Sequence, residues 1–343
     1  MRQFLKKTWL KLTRYEYWPF WFFFLPIFPI YLYYAFRSRS LVYFTAANPG
    51  IEYGGFFGEH KNDILKHIDE KYKTVSGYFT DNSQVEIENF MVRENLEYPI
   101  IVKPDVGERG DEVRVIRDEK ALKKHLNTID YPFLVQEYVD VKIELGVLYH
   151  RKPSSAQGTI SSIVQKRFLT VVGDGQNDVA TLLLNNDRAL FQMDRLRKVK
   201  SHICLLVPAL GEEVIVERIG NHCLGTEFIN SNHLINDELT AVFDEISKPF
   251  KGFHYGRYDL KVLNLDEMYR GKGIRIFELN GVTSEAGHIY DRDYTLLQAY
   301  KDVIKSQEVV FSIAQENIKH GAALPSLREI IQRAYKHFWV GKR

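Results

Sequence analysis

Two hydrophobic regimes follow one another along this chain, and they meet near position 40. From Tyr17 to Phe36 no residue is charged, and the stretch reads YWPFWFFFLPIFPIYLYYAF. Twenty residues of helix would span about 30 Å, roughly the hydrocarbon core of a bilayer. Pro19, Pro26 and Pro29 interrupt it, and interior prolines break or kink helices. Trp and Tyr, which favour the membrane–water interface, sit at both ends. Arg2, Lys6, Lys7, Lys11 and Arg14 precede the stretch and Arg37 and Arg39 follow it. No small-residue cleavage site follows a short apolar core, so it does not read as a cleaved signal peptide. Two expectations stand side by side: an aromatic arm packed on the protein's own core, or a segment that dips into the cytoplasmic leaflet. The basic amphipathic tail at 327–343 reads as a solvated helix or a second surface contact.

Beyond Arg39 the pattern is mixed. Short apolar strands are predicted at 41–46, 99–103, 112–116, 133–138, 145–149, 159–164, 169–172, 259–263 and 274–279. Helices are predicted at 61–73, with Ile64, Leu65 and Ile68 on one face, and at 120–129, 179–198, 237–247 and 293–318. Helices alternating with antiparallel-type strands argue for an α+β fold of several lobes. The division read from the chain is an apolar arm at 1–40, a smaller lobe at 41–135, a larger lobe at 136–320 and a basic tail at 321–343.

Composition narrows the function classes. The 343 residues are 45% hydrophobic and 26% charged, enough for a large core. With 46 Lys plus Arg against 44 Asp plus Glu, the net charge of +2 does not indicate a polyanion-binding surface. The basic run Arg195, Arg197, Lys198, Lys200 has no aromatic stacking array beside it, so nucleic acid is not an expected partner. Cys204 and Cys223 make neither a disulfide scaffold nor a CxxC metal site, and a reducing cytosol is the simpler reading.

Four segments carry unlike chemical groups in a fixed order. In Pro99-Ile-Ile-Val-Lys103-Pro-Asp-Val-Gly107-Glu-Arg-Gly110 a strand delivers a lysine suited to phosphate oxygens. Gly107 and Gly110 would let backbone N–H groups approach a phosphate closely. Leu134-Val-Gln136-Glu137-Tyr138-Val139 is an apolar strand running into a carboxylate, with Glu144 downstream. Gly256-Arg257-Tyr-Asp259 and Phe277-Glu278-Leu-Asn280-Gly281 alternate, so Arg257 and Asp259 share one strand face, as do Glu278 and Asn280. Asp259, Glu278 and Asn280 are hard oxygen donors fit for one or two Mg²⁺ ions beside ATP phosphates. Arg257 beside them could stabilise developing charge. Taken singly, each segment is also readable as an ordinary edge strand or surface hairpin.

Together these residues resemble the ATP-grasp superfamily: KP with a Gly loop, a QEYV hinge, a downstream Glu, a GRxD strand and an ExN strand. GRYD and ELNG resemble the metal and transition-state segments of D-alanine–D-alanine ligases. VVGDGQNDVATLLLNNDRA is similar to a segment of cyanophycin synthetases and bifunctional glutathione synthetases. The resemblance covers roughly residues 60 to 295 and implies an ATP-grasp fold, two α+β lobes clasping a nucleotide. It implies that Lys103 contacts ATP phosphates, as does Lys61 in GEHKNDIL. Gln136, Glu137, Tyr138 and Val139 would line the adenine hinge, and Glu144 would meet ribose. Asp259, Glu278 and Asn280 would ligate Mg²⁺, and Arg257 would steady the acyl phosphate. Lys166 and Arg167 would lie near phosphate or an acidic substrate. The implied activity is ATP-dependent joining of a small-molecule carboxylate to an amine, in the cytosol or on the cytoplasmic face of a membrane. A non-catalytic nucleotide-binding membrane scaffold and a phosphotransferase on the same fold remain as alternatives. One departure stands out: the N-terminal lobe of D-alanine ligases is replaced here by a short segment and the aromatic arm, and its D-alanine-binding elements are not recognisable.

Overall fold

The computed structural model describes residues 2–56, 58–107 and 112–335. Among them, strands β1 (Ser76–Phe79), β2 (Ile100–Pro104), β3 (Arg114–Ile116) and β4 (Phe133–Glu137) form a smaller antiparallel sheet in the order β1-β4-β2-β3. A larger antiparallel sheet, ordered β11-β10-β5-β6-β9, holds β5 (Ile143–His150), β6 (Thr159–Arg167), β9 (Glu227–Asn230), β10 (Tyr255–Val262) and β11 (Ile274–Asn280). Between β6 and β9 the chain makes a separate ribbon of β7 (Leu169–Val172) and β8 (Glu213–Glu217).

Each sheet buries one face under helices. Gln84–Arg93 and Glu119–Leu126 lay Ile87, Phe90, Leu122 and Leu126 on Ile100, Val102, Phe133 and Val135 of the smaller sheet. Asp118 caps the second of these, its carboxylate accepting from Ala121 N at 2.8 Å. The helix Asp237–Ser247 lays Leu239, Phe243 and Ile246 on Leu145, Val147, Tyr258 and Leu260 of the larger sheet. These faces pack away from each other, which leaves the opposite faces of the two sheets for the chemistry.

The chain enters the smaller sheet at Val75 and leaves it at Glu137, and these points are adjacent. Glu137 N donates to Val75 O at 2.9 Å, and the Glu137 carboxylate accepts from Val75 N at 3.2 Å. The predicted boundary at 135 therefore falls inside β4. Residues preceding the smaller sheet pack with the larger body: Ile51, Ile64, Leu65, Ile68 and Tyr72 join its core.

Several elements differ from expectation. The segment 41–46 is a 3-10 turn, Tyr43–Ala47, instead of a strand. Its apolar residues are buried against the long helix Leu296–Lys319, a tertiary environment that a short apolar run does not distinguish from a sheet. The helix expected at 61–73 stops at Leu65, although Ile64, Leu65 and Ile68 are all buried as expected. The helix expected at 179–198 is three pieces, with Asn186 capping the second. β1, the helix Gln84–Arg93, β8 and β9 were not anticipated.

The N-terminal arm is helical but broken: α1 (Arg2–Thr13), α2 (Phe20–Phe24) and α3 (Phe28–Ser38). Pro19 caps α2 and Pro29 lies in the first turn of α3, positions where a missing N–H costs nothing. No helix among the described residues is long and apolar enough to cross a membrane. Of the tail, Leu327–Tyr335 is helical, and 336–343 lie outside the described residues.

Asn48 ties the segment before the smaller lobe to β10. Fully buried, its amide donates to Gly54 O at 3.1 Å and Tyr255 O at 2.7 Å and accepts from the N–H groups of His254 and Tyr255, both at 2.9 Å. Asn48→Ala orphans several buried backbone groups and is expected to cost about 3 kcal/mol or more, measured as a fall in the urea midpoint. Asn48→Asp removes both donations and should be comparably damaging; a midpoint unchanged in both variants contradicts this account.

Candidate active site

The exposed-side face of the larger sheet is built by strand alternation. In β10, Arg257, Asp259 and Lys261 point to one face, while Tyr258, Leu260 and Val262 enter the core. Register sets Asp259 opposite Glu278 of β11 and Gly146 of β5, and Lys261 opposite Glu144. Arg257 grips Asp259 with two bonds, Nε and Nη2 to the two carboxylate oxygens, each at 3.2 Å. From β6, Lys166 bridges Asp259 at 3.1 Å and Glu144 at 3.2 Å. Asn280 donates its amide to Asp259 at 3.2 Å. Among the described residues no hydrogen bond or ion pair engages the half-buried Glu278 carboxylate, which lies near Lys103 and Arg257.

Glycines make the room for this arrangement. A Cβ at Gly146 would stand 3.2 Å from the Asp259 carboxylate and 3.3 Å from Arg257 Cδ. A Cβ at Gly220 would stand 1.9 Å from Glu144 Oε1, so only glycine lets that loop seal the carboxylate.

The smaller sheet faces this surface across a closed cleft. Lys103 of β2 donates from Nζ to Phe277 O at 2.8 Å, next to Glu278, and Gln136 of β4 reaches the same carbonyl at 3.4 Å. Lys61 donates to Gly107 O at 2.6 Å and Asp105 O at 3.4 Å, and Asp105 is pinned by Asn62 N and His60. At the hinge, Val139 O accepts from Lys261 Nζ at 2.7 Å, and that ammonium lies over the Tyr138 ring at 5.5 Å.

Electrostatics follow from burial and pairing. Lys103, Glu144, Lys166 and Asp259 are each at most 5% exposed. Burial pushes the Lys103 ammonium down to about 8, only partly countered by Glu278 and Asp259. Burial alone would raise Asp259, but Arg257 and Lys166 hold its carboxyl below the ordinary range. Glu144 is raised by burial despite Lys166. Lys166 is itself raised in spite of burial, because two carboxylates face it.

The structure thus brings Lys103, Gln136, Glu144, Arg257, Asp259, Glu278 and Asn280 to one cleft, with Lys61 and Gly107 at its rim. Gly110 lies outside the described residues. Glu137 turns its carboxylate to the Val75 backbone, and Glu144 is sealed against Gly220 and paired with Lys166. Lys261 was missed, although the Arg257-Asp259-Lys261 alternation carried the signal. The GDG turn is self-contained: Asp174 accepts from Gln176 N at 2.9 Å and Asn177 N at 2.8 Å, and these bonds lower its carboxyl to about 2. Asp259, Glu278 and Asn280 supply hard oxygen donors on adjacent strands, and the Glu278 carboxylate makes no hydrogen bond or ion pair among the described residues, which suits a divalent cation. No cluster of three His, Cys, Asp or Glu side chains near enough to share a metal occurs among the described residues, so Asn280 would have to complete the set.

Residues 66–147 match a family model described as a RimK-like ATP-grasp domain. No curated protein sequence matches the chain. Solved structures similar to it include a bifunctional glutathione synthetase from Pasteurella multocida, 16% identical over 75% of this chain and 36% of that one, with a TM-score of 0.39. A D-alanine–D-alanine ligase from Bacillus anthracis is 15% identical over 76% of this chain and 69% of that one, with a TM-score of 0.42. The corresponding Coxiella burnetii ligase is 9% identical over 81% of this chain and 61% of that one, also at 0.42. The chain therefore spans about a third of the glutathione synthetase it resembles.

The Lys103 ammonium ties stability to pH. Its affinity for a proton is depressed in the folded state, so its contribution is fully present above 10.5 and is lost as pH falls through about 8. Relative to Lys103→Met, the wild type should gain up to about 3 kcal/mol as pH rises from about 7 to 10.5, read by urea unfolding. Parallel pH curves for the two proteins would contradict a buried, poorly compensated ammonium.

Proposed function

We propose that this ATP-grasp chain is an ATP-dependent ligase that activates a substrate carboxylate as an acyl phosphate and couples it to an amine. The fold is of the ATP-grasp type, two α+β lobes facing each other across a cleft, with the RimK-like domain match lying over the smaller lobe. The observation that carries the reading is convergence. Lys103 of the smaller sheet comes near Glu278 and Asp259 of the larger one, where Arg257 and Asn280 also bond Asp259.

In this reading the triphosphate of ATP lies between the sheets and replaces Phe277 O as the partner of Lys103. The backbone near Gly107 closes over the phosphates from the smaller lobe, and Lys61 reaches them from the helix that packs on the larger one. Gln136 to Val139 border the base, and Glu144 acts chiefly by holding Lys166, which faces the reacting phosphoryl group. Asp259, Glu278 and Asn280 would hold Mg²⁺, which when bound screens the charge of the phosphates. A carboxylate oxygen attacks the γ-phosphorus, the bond to the bridging oxygen breaks, and ADP leaves. The amine then attacks the acyl carbon, gives up a proton and expels inorganic phosphate. Arg257 compensates the charge that builds on the acyl phosphate and the tetrahedral intermediate. Positioning and charge neutralisation suffice, so no Ser–His–Asp or Cys–His arrangement is required. A small-molecule carboxylate and amine, of amino-acid or peptide type, fit the GDG segment.

ADP and phosphate release, screened across amino acids, dipeptides and lipid-linked carboxylates with Mg-ATP, tests the reading. Asp259→Asn and Glu278→Gln should each lower release by about a hundredfold or more. Full activity in either variant overturns the role given to that carboxylate. A stable phosphorylated product in place of a ligated one would turn the assignment to a phosphotransferase.

A further inference from the structure

We infer that the N-terminal arm is a docking face for a bilayer surface that carries anionic lipid. The arm is apolar on two sides, and the protein covers only one of them. Inward, Leu10, Phe23, Ile27 and Ala35 are buried. Phe23 stacks on Tyr15 at 5.6 Å and on Tyr300 at 5.2 Å, and Tyr34 stacks on Phe311 at 4.4 Å. Outward, α3 presents Phe28, Leu32 and Phe36, spaced by four and so on one face, at 52%, 43% and 83% exposure. α2 presents Phe20 and Trp21, and Leu25 follows it, all at 60% or more, and α1 presents Phe4, Leu5, Trp9 and Leu12 at 59% or more. A soluble monomer rarely leaves so many large aromatic and aliphatic side chains of one short segment in water.

Charge identifies the occupant. Lys6, Lys7 and Lys11 lie in α1, Arg14 follows it, and Arg37 and Arg39 sit at the end of α3. Before Glu52 the only acidic residue is Glu16, and it is buried against Arg188. Lys6 pairs with Asp187 at 2.7 Å, and Arg14 donates to Arg292 O, so part of this charge is anchored to the body. Lys7 and Arg39 have no acidic partner among the described residues. An outer face with no charged side chain from 17 to 36, rimmed by cations and by Trp and Tyr, matches an interface of hydrocarbon beneath anionic headgroups. No helix among the described residues is long and apolar enough to cross a bilayer, so the arm would lie in the interface plane.

Flotation of the full chain with vesicles tests this, comparing phosphatidylcholine alone with phosphatidylcholine mixed with phosphatidylserine. The wild type should float with the mixed vesicles, and its Trp emission should shift to the blue as Trp9 and Trp21 leave water. The double variant Trp21→Glu, Phe36→Glu changes only exposed side chains and should lower binding at least tenfold. Lys7→Glu should weaken it roughly fivefold and flatten its dependence on phosphatidylserine. Val92→Glu, on the exposed surface of the smaller lobe, is the control and should bind as the wild type does. Wild-type protein that stays at the bottom of the gradient with both vesicles overturns the inference, as does undiminished binding by the double variant. A dimer by sedimentation that the double variant converts to monomer, without vesicle binding, would assign the face to a second copy instead. Vesicle binding is read without ATP, so its failure is distinguishable from failure of the ligase reading.

Discussion

Charges removed from water must neutralise one another or be stabilised by fixed dipoles, because the desolvation cost of an unpaired buried ion is several kcal/mol or more. That constraint organises the cleft. Glu144, Lys166 and Asp259 have almost no solvent contact and Arg257 is partly buried, and each is placed by its neighbour: Arg257 forks onto Asp259, and Lys166 spans Asp259 and Glu144. Lys103 arrives from the other sheet and finds a carbonyl in place of a carboxylate. It is the least compensated member, which is why burial dominates its proton affinity. An anion entering between the sheets would supply what Lys103 lacks, and a cation beside Glu278 would supply what that carboxylate lacks.

The same contacts explain how such a ligand could enter a closed cleft. Across it run polar links that water or a ligand could replace: Lys103 and Gln136 to Phe277 O, Lys61 to Gly107 O, and His60, Lys61 N and Asn62 N to Asp105. The apolar cores of the two lobes are separate apart from Leu134, which belongs to the core of the larger lobe. The smaller lobe joins the rest through neighbouring strands at Val75 and Glu137, so a swing about that link would disturb the larger core only at Leu134. Opening would therefore cost the polar links and that one apolar contact, whereas unfolding costs the packing of both cores.

Where a pair of polar residues lies on a single strand, its shared face was readable. GRYD and ELNG could be assigned to shared faces because strand alternation is a local rule; β10 obeys it, and β11 does so from Glu278 to Asn280, past the bulge at Phe277. The roles of Glu144 and Lys166 depended on the pairing of β5 with β6 and on Gly220 arriving from a distant loop, neither of which local pattern encodes. Glu144 accordingly read as a ribose contact, although it sits sealed beneath that glycine. The unread helix Gln84–Arg93 did carry a signal, Ser83 followed by Glu86, a capping pattern realised in the bond from Glu86 N to the Ser83 hydroxyl. The misread strand at 41–46 carried none, since burial of an apolar run by a distant helix leaves no periodic trace.

The arm is no loose tether, and that bears on what a surface contact would do. Tyr15 donates its hydroxyl to Ile289 O and also reaches Tyr294 O at 3.1 Å, and Glu16 pairs with Arg188 in the interior. The loop it braces begins at Gly281, directly after Asn280, and Ser284 of that loop bonds both Asn280 O at 2.8 Å and Arg257 N at 3.2 Å. Tyr290 of the same loop packs near Phe23 of α2, with ring centroids 6.3 Å apart. Only a few side chains therefore separate the outer face of the arm from the strand ends that carry Arg257 and Asn280. A flexible anchor would merely raise local concentration at a surface. A face bonded this closely to the loop beside the cleft would, on the docking proposed above, hold the cleft in a fixed orientation to the surface as well.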